Sequence, residues 1–326
     1  MSGMKLTTEK NLMVFSGRAH PALAQAVADE LGTTLVPTEA RDFANSETYV
    51  RFDESVRGCD AFVIQSHTAP INHNIMEQLI MVDALKRASA KRISVITPFY
   101  GYARQDKKSR GREPISARLM ADMFKVAGAD RLMAVDLHTD QIQGFFDGPV
   151  DHLQALPILA EYVADKYSSE DLAVVSPDAG RIKVAEQWSK RLNGAPLAFI
   201  HKTRDVTRPN QSVANRVIGK VEGRTCILVD DMIDSGGTIC HAAEALMKDG
   251  AASVIIAATH AILSGPAVER LRDSVAREVI VTDTLPITPD KQFDKLTALS
   301  IAPLLSEAIH QVFEDGSVTS MFDGLS

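Results

Sequence analysis

Residues 226–248 constrain this chain more than any other stretch. Cys226-Ile227-Leu228-Val229 is short, apolar and β-branched, the pattern of a strand covered on both faces in a parallel sheet. Asp230 and Asp231 follow, then Met232-Ile233-Asp234, then Ser235-Gly236-Gly237-Thr238, then a helical pattern from Ile239 to Lys248. Strand, glycine turn and helix in that order make an anion cradle. The glycines let backbone N–H groups approach a phosphate, and the helix start presents the positive end of its dipole. The two acids would repel a phosphate, so they suit the hydroxyls of a neighbouring polyol, as acceptors. The competing reading is an ordinary strand-turn-helix connection with capping acids. Two acids at the end of a buried strand, where open α/β sheets bind ligands, favour a sugar-phosphate site.

The rest of the chain repeats this scheme. Apolar runs at 12–15, 61–65, 93–97 and 132–135 read as strands, with amphipathic helices predicted at 21–31, 72–88 and 116–126. The second half predicts strands at 172–175, 197–200, 226–229, 254–258 and 278–281, and helices at 156–167, 182–192, 239–248 and 302–313. Alternation at this spacing argues for an α/β fold of parallel sheets with helices on both faces. Two such units suggest a duplication. Gly148-Pro149 interrupts the pattern, so the expected domains are 9–150 and 151–326. Segments 101–114 and 201–214 fit neither pattern and read as mobile loops that order around substrate.

Composition excludes several classes. A chain of 326 residues has room for two cores, and a net charge of -7 gives no generic attraction to nucleic acid. Basic residues nevertheless cluster at Arg104, Lys107, Lys108, Arg110 and Arg112, and at Lys202, Arg204 and Arg208, which favours small anionic substrates. Cys59, Cys226 and Cys240 lack metal-type spacing and suit a reducing cytosol. The first ten residues lack a signal peptide's apolar core, and no run approaches the ~20 apolar residues that span a bilayer, so a cytoplasmic location is expected and no membrane partner. There is no Walker motif, no G-x-G-x-x-G and no Cys/His cluster, which argues against P-loop kinases and dinucleotide enzymes.

Two further sets of residues carry chemistry. Lys202 and Arg204 follow the predicted strand 197–200 and so fall at a sheet edge near the phosphate loop. A mobile lysine and a forked arginine suit the spread negative charge of a phosphoryl-transfer transition state. His138 and Asp178 each follow an apolar strand and a short polar turn, one in each half. A hard dication such as Mg²⁺ prefers oxygens, so chemistry alone makes Asp178 the better ligand and His138 a hydrogen-bonded histidine.

The stretch 229–238 resembles the phosphoribosyl-diphosphate (PRPP) motif of type I phosphoribosyltransferases. Three longer motifs narrow the resemblance: Phe99-Tyr100-Gly101-Tyr102-Ala103-Arg104-Gln105-Asp106-Lys107-Lys108, then Asp136-Leu137-His138-Thr139-Asp140-Gln141-Ile142-Gln143-Gly144-Phe145-Phe146-Asp147, then Ser176-Pro177-Asp178-Ala179-Gly180. In this order they resemble the ribose-phosphate diphosphokinase (PRPP synthetase) family, over about 15–322 and closest to its phosphate-activated class I. The resemblance implies two similar domains of the type I phosphoribosyltransferase-like fold, each a mainly parallel sheet flanked by helices. It implies transfer of the diphosphoryl group of MgATP to ribose 5-phosphate.

The same resemblance assigns residues. Lys202 and Arg204 are implied to be catalytic on a flap, with Thr203 standing where the family often has a further basic residue. His138 and Asp178 are implied to contact Mg²⁺ bound to ATP, with two ions possible. Arg104 and Gln105 match nucleotide contacts, and Phe43, Asn45 and Glu47 match an adenine loop lent by a neighbouring subunit of a homo-oligomer, commonly a hexamer. Asp178, Ala179, Gly180 and Arg181 match the diphosphate loop. Asp230, Asp231 and Asp234 match the ribose contacts, and Ser235, Gly236, Gly237 and Thr238 the 5-phosphate loop. Ser55, Arg57, Arg112, Ser317 and Thr319 resemble a regulatory site for inorganic phosphate and ADP. Two rivals are a phosphoribosyltransferase that consumes PRPP and a catalytically silent regulatory homologue.

Overall fold

The short apolar runs become strands, because β-branched side chains buried on both faces suit a sheet covered by helices. The computed structural model describes residues 10–203 and 214–322. The chain divides into two units, one formed up to Leu153 together with the segment from Ala302, the other from Gln154 to Ile301. The first begins with β1 (Leu12–Ser16), α1 (Pro21–Glu30), β2 (Thr38–Asp42), β3 (Thr48–Phe52) and β4 (Asp60–Ile64). It continues with α2 (Ile71–Arg87), β5 (Arg92–Thr97), α3 (Ser116–Ala127), β6 (Arg131–Val135) and β7 (Val150–Leu153). The second holds α4 (Leu156–Lys166), β8 (Leu172–Ser176), α5 (Ile182–Arg191), β9 (Leu197–Thr203) and β10 (Ala214–Ile218). After these come β11 (Thr225–Ile233), α6 (Gly237–Lys248), β12 (Ser253–Ala261), α7 (Ala267–Asp273), β13 (Glu278–Thr282) and β14 (Leu296–Leu299). Finally α8 (Ala302–Phe313) returns to the first unit.

In the second unit the sheet order is β10-β9-β8-β11-β12-β13-β14, parallel throughout except for β10. From β8 the chain moves to one side, to β9, and later resumes on the other side at β11. The order therefore reverses between β8 and β11, and the carboxyl ends of those strands are where such a sheet opens a crevice. The first unit has the parallel order β1-β4-β5-β6-β7. On the free side of β1 a single parallel bridge joins Val14 to Leu35. This is the same wiring with the second strand reduced to one rung, as a duplication would leave it. Each unit has its own core, around Phe15, Val63, Leu85 and Phe124 in the first and Leu228, Ile256, Leu246 and Val281 in the second.

Several elements differ from expectation. Strand β11 runs to Ile233, so Asp230 and Asp231 lie within the strand and not after it. The β2–β3 hairpin is not among the expected strands, because it has no unbroken apolar run and only Val50 and Phe52 pack partly on the core. Strand β9 extends to Thr203 and β10 begins at Ala214, both inside the predicted loop 201–214; residues 204–213, with Arg204, lie outside the described residues. The expected second domain at 151–326 loses its last helix to the first unit, because α8 packs on α1 and buries Leu305, Ala308, Ile309 and Val312.

A buried polar cluster fixes the amino-terminal edge of the second sheet. Glu278, at the start of β13, accepts hydrogen bonds from Tyr162 and Lys166 at 2.8 Å each, from Thr297 at 2.5 Å and from the Tyr167 hydroxyl. Burial raises the Glu278 pKa, but the Lys166, Thr297 and tyrosine bonds outweigh it and the net direction is down. Its ionised form therefore contributes stability above the usual carboxylate range, lost as pH falls through the depressed value. Glu278→Gln should lower the unfolding free energy in urea by about 1–3 kcal/mol at pH 7. The difference from wild type should shrink as pH falls below about 4.

Candidate active site

The β8–β11 crevice carries one set of predicted residues. Strand β11 shares rungs with β8 only as far as Leu228, so Asp230 and Asp231 stand beyond their neighbour's last rung. The turn after β8 fills the space beside them. Asp178 accepts a hydrogen bond from the Gly180 N–H at 2.8 Å, shaping a tight turn that delivers Arg181. The Arg181 guanidinium lies 2.6 Å from Asp231 and 3.9 Å from Asp230. One ion pair thus joins the 178–181 turn to the acid pair across the crevice.

Beyond the acids the backbone turns into α6. Gly236 has φ of 74°, a left-handed conformation that costs glycine little and other residues more. No side chain caps the 12-residue helix that follows, so its first N–H groups face the turn formed by Ser235, Gly236, Gly237 and Thr238. Arg270 on α7 donates to the Ser235 carbonyl at 2.9 Å, and Ser264 N–H donates to the Asp234 carbonyl at 2.9 Å, so the turn is held from behind. Burial first, and the Asp231 charge second, push Asp230 up to about 8, against the pull of Arg181. The crevice offers a cation, two acids and a helix start: donors for phosphate oxygens and acceptors for hydroxyls.

The carboxyl edge of the first sheet carries another set. Arg104 and Gln105 follow β5, and His138 follows β6, on neighbouring strands. Asp106 ties the two loops: its buried carboxylate accepts hydrogen bonds from Thr139 at 2.9 Å and Gln141 at 2.5 Å. Ser116 donates to the Gln105 side-chain oxygen at 2.7 Å, fixing that amide. Phe43, Asn45 and Glu47 occupy the tip of the β2–β3 hairpin, and Phe43 is 44% exposed. The corresponding reversal point of this unit, between β1 and β4, is filled. Gln65 donates to Glu77 at 2.9 Å and accepts from Ala19 N–H at 3.0 Å. A Cβ on Gly17 would lie 2.3 Å from the Gln65 side chain, so a larger residue there would have to displace the Gln65 amide.

Comparison with known proteins places these features in a family. Residues 12–128 match the model of the N-terminal domain of ribose phosphate pyrophosphokinase, and 200–323 match that of the phosphoribosyl synthetase-associated domain. The chain is 64% identical over 323 residues to a ribose-phosphate pyrophosphokinase of Streptomyces coelicolor, covering 99% of each. It is 64% identical over 315 residues to that of Mycobacterium tuberculosis strain H37Rv, covering 97% of each. This chain belongs to the ribose-phosphate pyrophosphokinase family. The crystal structure of phosphoribosylpyrophosphate synthetase from Mycobacterium smegmatis superposes with a TM-score of 0.90 at 65% identity, covering 94% of this chain and all of that one.

Against that family the remaining predicted residues fall as follows. Lys202 is in β9, paired with Asn215 of β10. Ser55 and Arg57 line a cavity of about 400 Å³ in the first unit, with Phe52 and Ala84. Ser317 and Thr319 follow Asp315, which pairs with Arg92 at the start of β5, so they share the amino-terminal edge of the sheet. Arg112 precedes α3 at the opposite, carboxyl-terminal edge. The roles of Asp106 and Arg270 are not legible in sequence. Asp106 sits inside the 99–108 motif, but its role needs the contact with Thr139; Arg270 lies on the short helix α7 with no motif signal.

The raised Asp230 fixes the sign of a test. A folded pKa above the unfolded value of about 4 means ligand-free stability falls as pH rises from about 4 to about 8. Asp230→Asn removes that penalty. Without ligands it should melt above wild type at pH 8, by roughly 1–3 kcal/mol, and match it near pH 4. Calorimetric titration should show it losing ribose 5-phosphate affinity more than ATP affinity.

Proposed function

We propose that this chain catalyses the synthesis of 5-phospho-α-D-ribose 1-diphosphate and AMP from D-ribose 5-phosphate and ATP, feeding nucleotide biosynthesis. The anomeric hydroxyl attacks the β-phosphorus of ATP in line. The bond from that phosphorus to the oxygen shared with the α-phosphorus breaks, AMP leaves with the oxygen, and the hydroxyl's proton is released to water. The observation that carries this reading is the Arg181–Asp231 ion pair, which sets a diphosphate-type turn beside two acids and the start of α6. Ser235 to Thr238 and the first N–H groups of α6 hold the 5-phosphate. Asp230 accepts from ribose hydroxyls, with Asp231 and Asp234 in support. Ala179, Gly180 and Arg181 receive the diphosphate. Ordering Arg181 onto a diphosphate frees the acids for the sugar.

Arg104 and Gln105 contact the nucleotide, and Phe43, Asn45 and Glu47 contact adenine, in an arrangement a neighbouring subunit of a homo-oligomer, such as a hexamer, completes. Asp178 and His138 would hold Mg²⁺, as one or two ions, when MgATP is bound. Asp178 offers an oxygen ligand at the crevice, and no three His, Cys, Asp or Glu side chains cluster among the described residues, a donor set suited to a cation held mainly by phosphates and water. His138 is the second residue we assign to it. When bound, the cation neutralises charge on the triphosphate. Lys202 and Arg204 supply the cations that act on the transition state. Phosphate activates and ADP inhibits, in the cytoplasm, through a pocket assembled between subunits, with Ser55, Arg57, Ser317 and Thr319 from one edge of the sheet and Arg112 from the other edge of a neighbouring subunit. Among the described residues no helix is long and apolar enough to cross a membrane.

Incubation with Mg-ATP and ribose 5-phosphate should give equimolar AMP and PRPP. Release of ADP instead, or no turnover, contradicts the assignment. Lys202→Ala should keep its circular dichroism spectrum and lose roughly 10³–10⁵ in kcat. A folded variant within tenfold of wild type removes Lys202 from the mechanism.

A further inference from the structure

Glu77, on α2, is fully buried, where a carboxylate persists only if its charge and lone pairs are matched. One oxygen accepts the Arg18 backbone N–H at 2.7 Å and the Gln65 amide at 2.9 Å; the other accepts Arg18 Nε. The core therefore fixes one edge of the Arg18 guanidinium. The other edge reaches outward. Its Nη2 and Nη1 donate to the two oxygens of Asp42 at 2.7 and 3.2 Å, a fork matched to a carboxylate.

Asp42 ends β2 and stands opposite Thr48, whose hydroxyl donates to it at 3.1 Å. Between them the tip is tightly wound. Phe43 N–H donates to the Glu47 carbonyl at 2.8 Å, and the Asn45 side chain accepts from Glu47 N–H at 3.2 Å. Arg41 lies 4.8 Å from the Phe43 ring centre and 4.7 Å from that of Tyr49. The base of the hairpin has apolar anchors, with Phe52 edge-on to Phe15 at 4.8 Å. The tip is anchored by the fork. The first turn of α2 joins in: His73 lies 3.1 Å from Arg18 Nη2, and Asn72 takes the Tyr102 hydroxyl from the loop that carries Arg104.

We propose that Arg18 is a positioning residue for nucleotide recognition: through Asp42 it fixes the hairpin tip that presents Phe43, Asn45 and Glu47. This rests on the reading of those three residues as adenine contacts. Arg18 carries a buried constraint, the Glu77 carboxylate, out to an exposed loop. Without the fork the tip keeps its internal turn but loses its orientation to the sheet, so the nucleotide meets an aromatic ring that is not held in place.

Two conservative variants separate this from a structural role. Asp42→Asn removes the charge at an exposed position, and Arg18→Lys keeps a cation for Glu77 but cannot fork. Each should raise the KM for ATP roughly three- to tenfold, with kcat within about twofold and the KM for ribose 5-phosphate unchanged. The double variant should be little worse than either single one, because both break the same bond. The unfolding midpoint of Asp42→Asn should equal that of wild type. A lowered midpoint with all constants shifted together would show a merely structural tie and overturn the proposal. Phe43→Ala is the control for the underlying reading. If it leaves the KM for ATP unchanged, the adenine assignment fails and the proposal falls with it. If it raises that KM while Asp42→Asn does not, the adenine assignment stands and the Arg18 proposal alone is overturned.

Discussion

The site depends on one mismatch in length: β11 continues to Ile233, while its rungs with β8 end at Leu228. In a sheet whose order reverses at that pair of strands, the overhang leaves the β8-facing edge of 229–233 on a crevice while the other edge stays paired with β12. Two carboxylates placed there are half-desolvated and close together, which is why Asp230 titrates high and why Arg181 is drawn across. The turn at Gly236 then aims the start of α6 into the same space. Phosphate donors and hydroxyl acceptors end up side by side because the strand that carries the acids leads directly into the helix that carries the donors.

The two units show what the same wiring does with different side chains. In the first, the reversal point beside β1 is occupied by Gln65 and Glu77, with Gly17 giving way to the Gln65 amide. That crevice is a packed polar core, and its charge is exported through Arg18 to the hairpin. Candidate chemistry moves along the sheet to the ends of β5 and β6, where Asp106 links two loops. In the second, the equivalent position keeps glycine, acids and a helix start open to ligand.

Much of this was legible in the sequence, for physical reasons. Strands such as 254–258 and 279–281 are buried on both faces, so their apolar runs are unbroken, and the Asp-Asp-x-x-Asp-Ser-Gly-Gly-Thr stretch combines residue types with few other uses together. What stayed hidden lacked such a signature. The β2–β3 hairpin is only half-buried and has no unbroken apolar run, so Thr38 to Asp42 carries only a weak strand signal. The place of α8 on α1 is a long-range packing choice that an amphipathic pattern at 302–313 does not specify. Asp106, Arg18 and Arg270 act through partners 15 or more residues away in sequence, and no spacing rule finds them.

We propose that the β8–β11 crevice binds phosphate through backbone N–H groups and hydroxyls through carboxylates. A crystal structure of the protein with ribose 5-phosphate tests it most directly. The 5-phosphate should sit on the N–H groups of 235–238 at the start of α6, with ribose hydroxyls on Asp230. A sugar phosphate bound with its hydroxyls away from Asp230 and Asp231, or seated in the first unit, would contradict it.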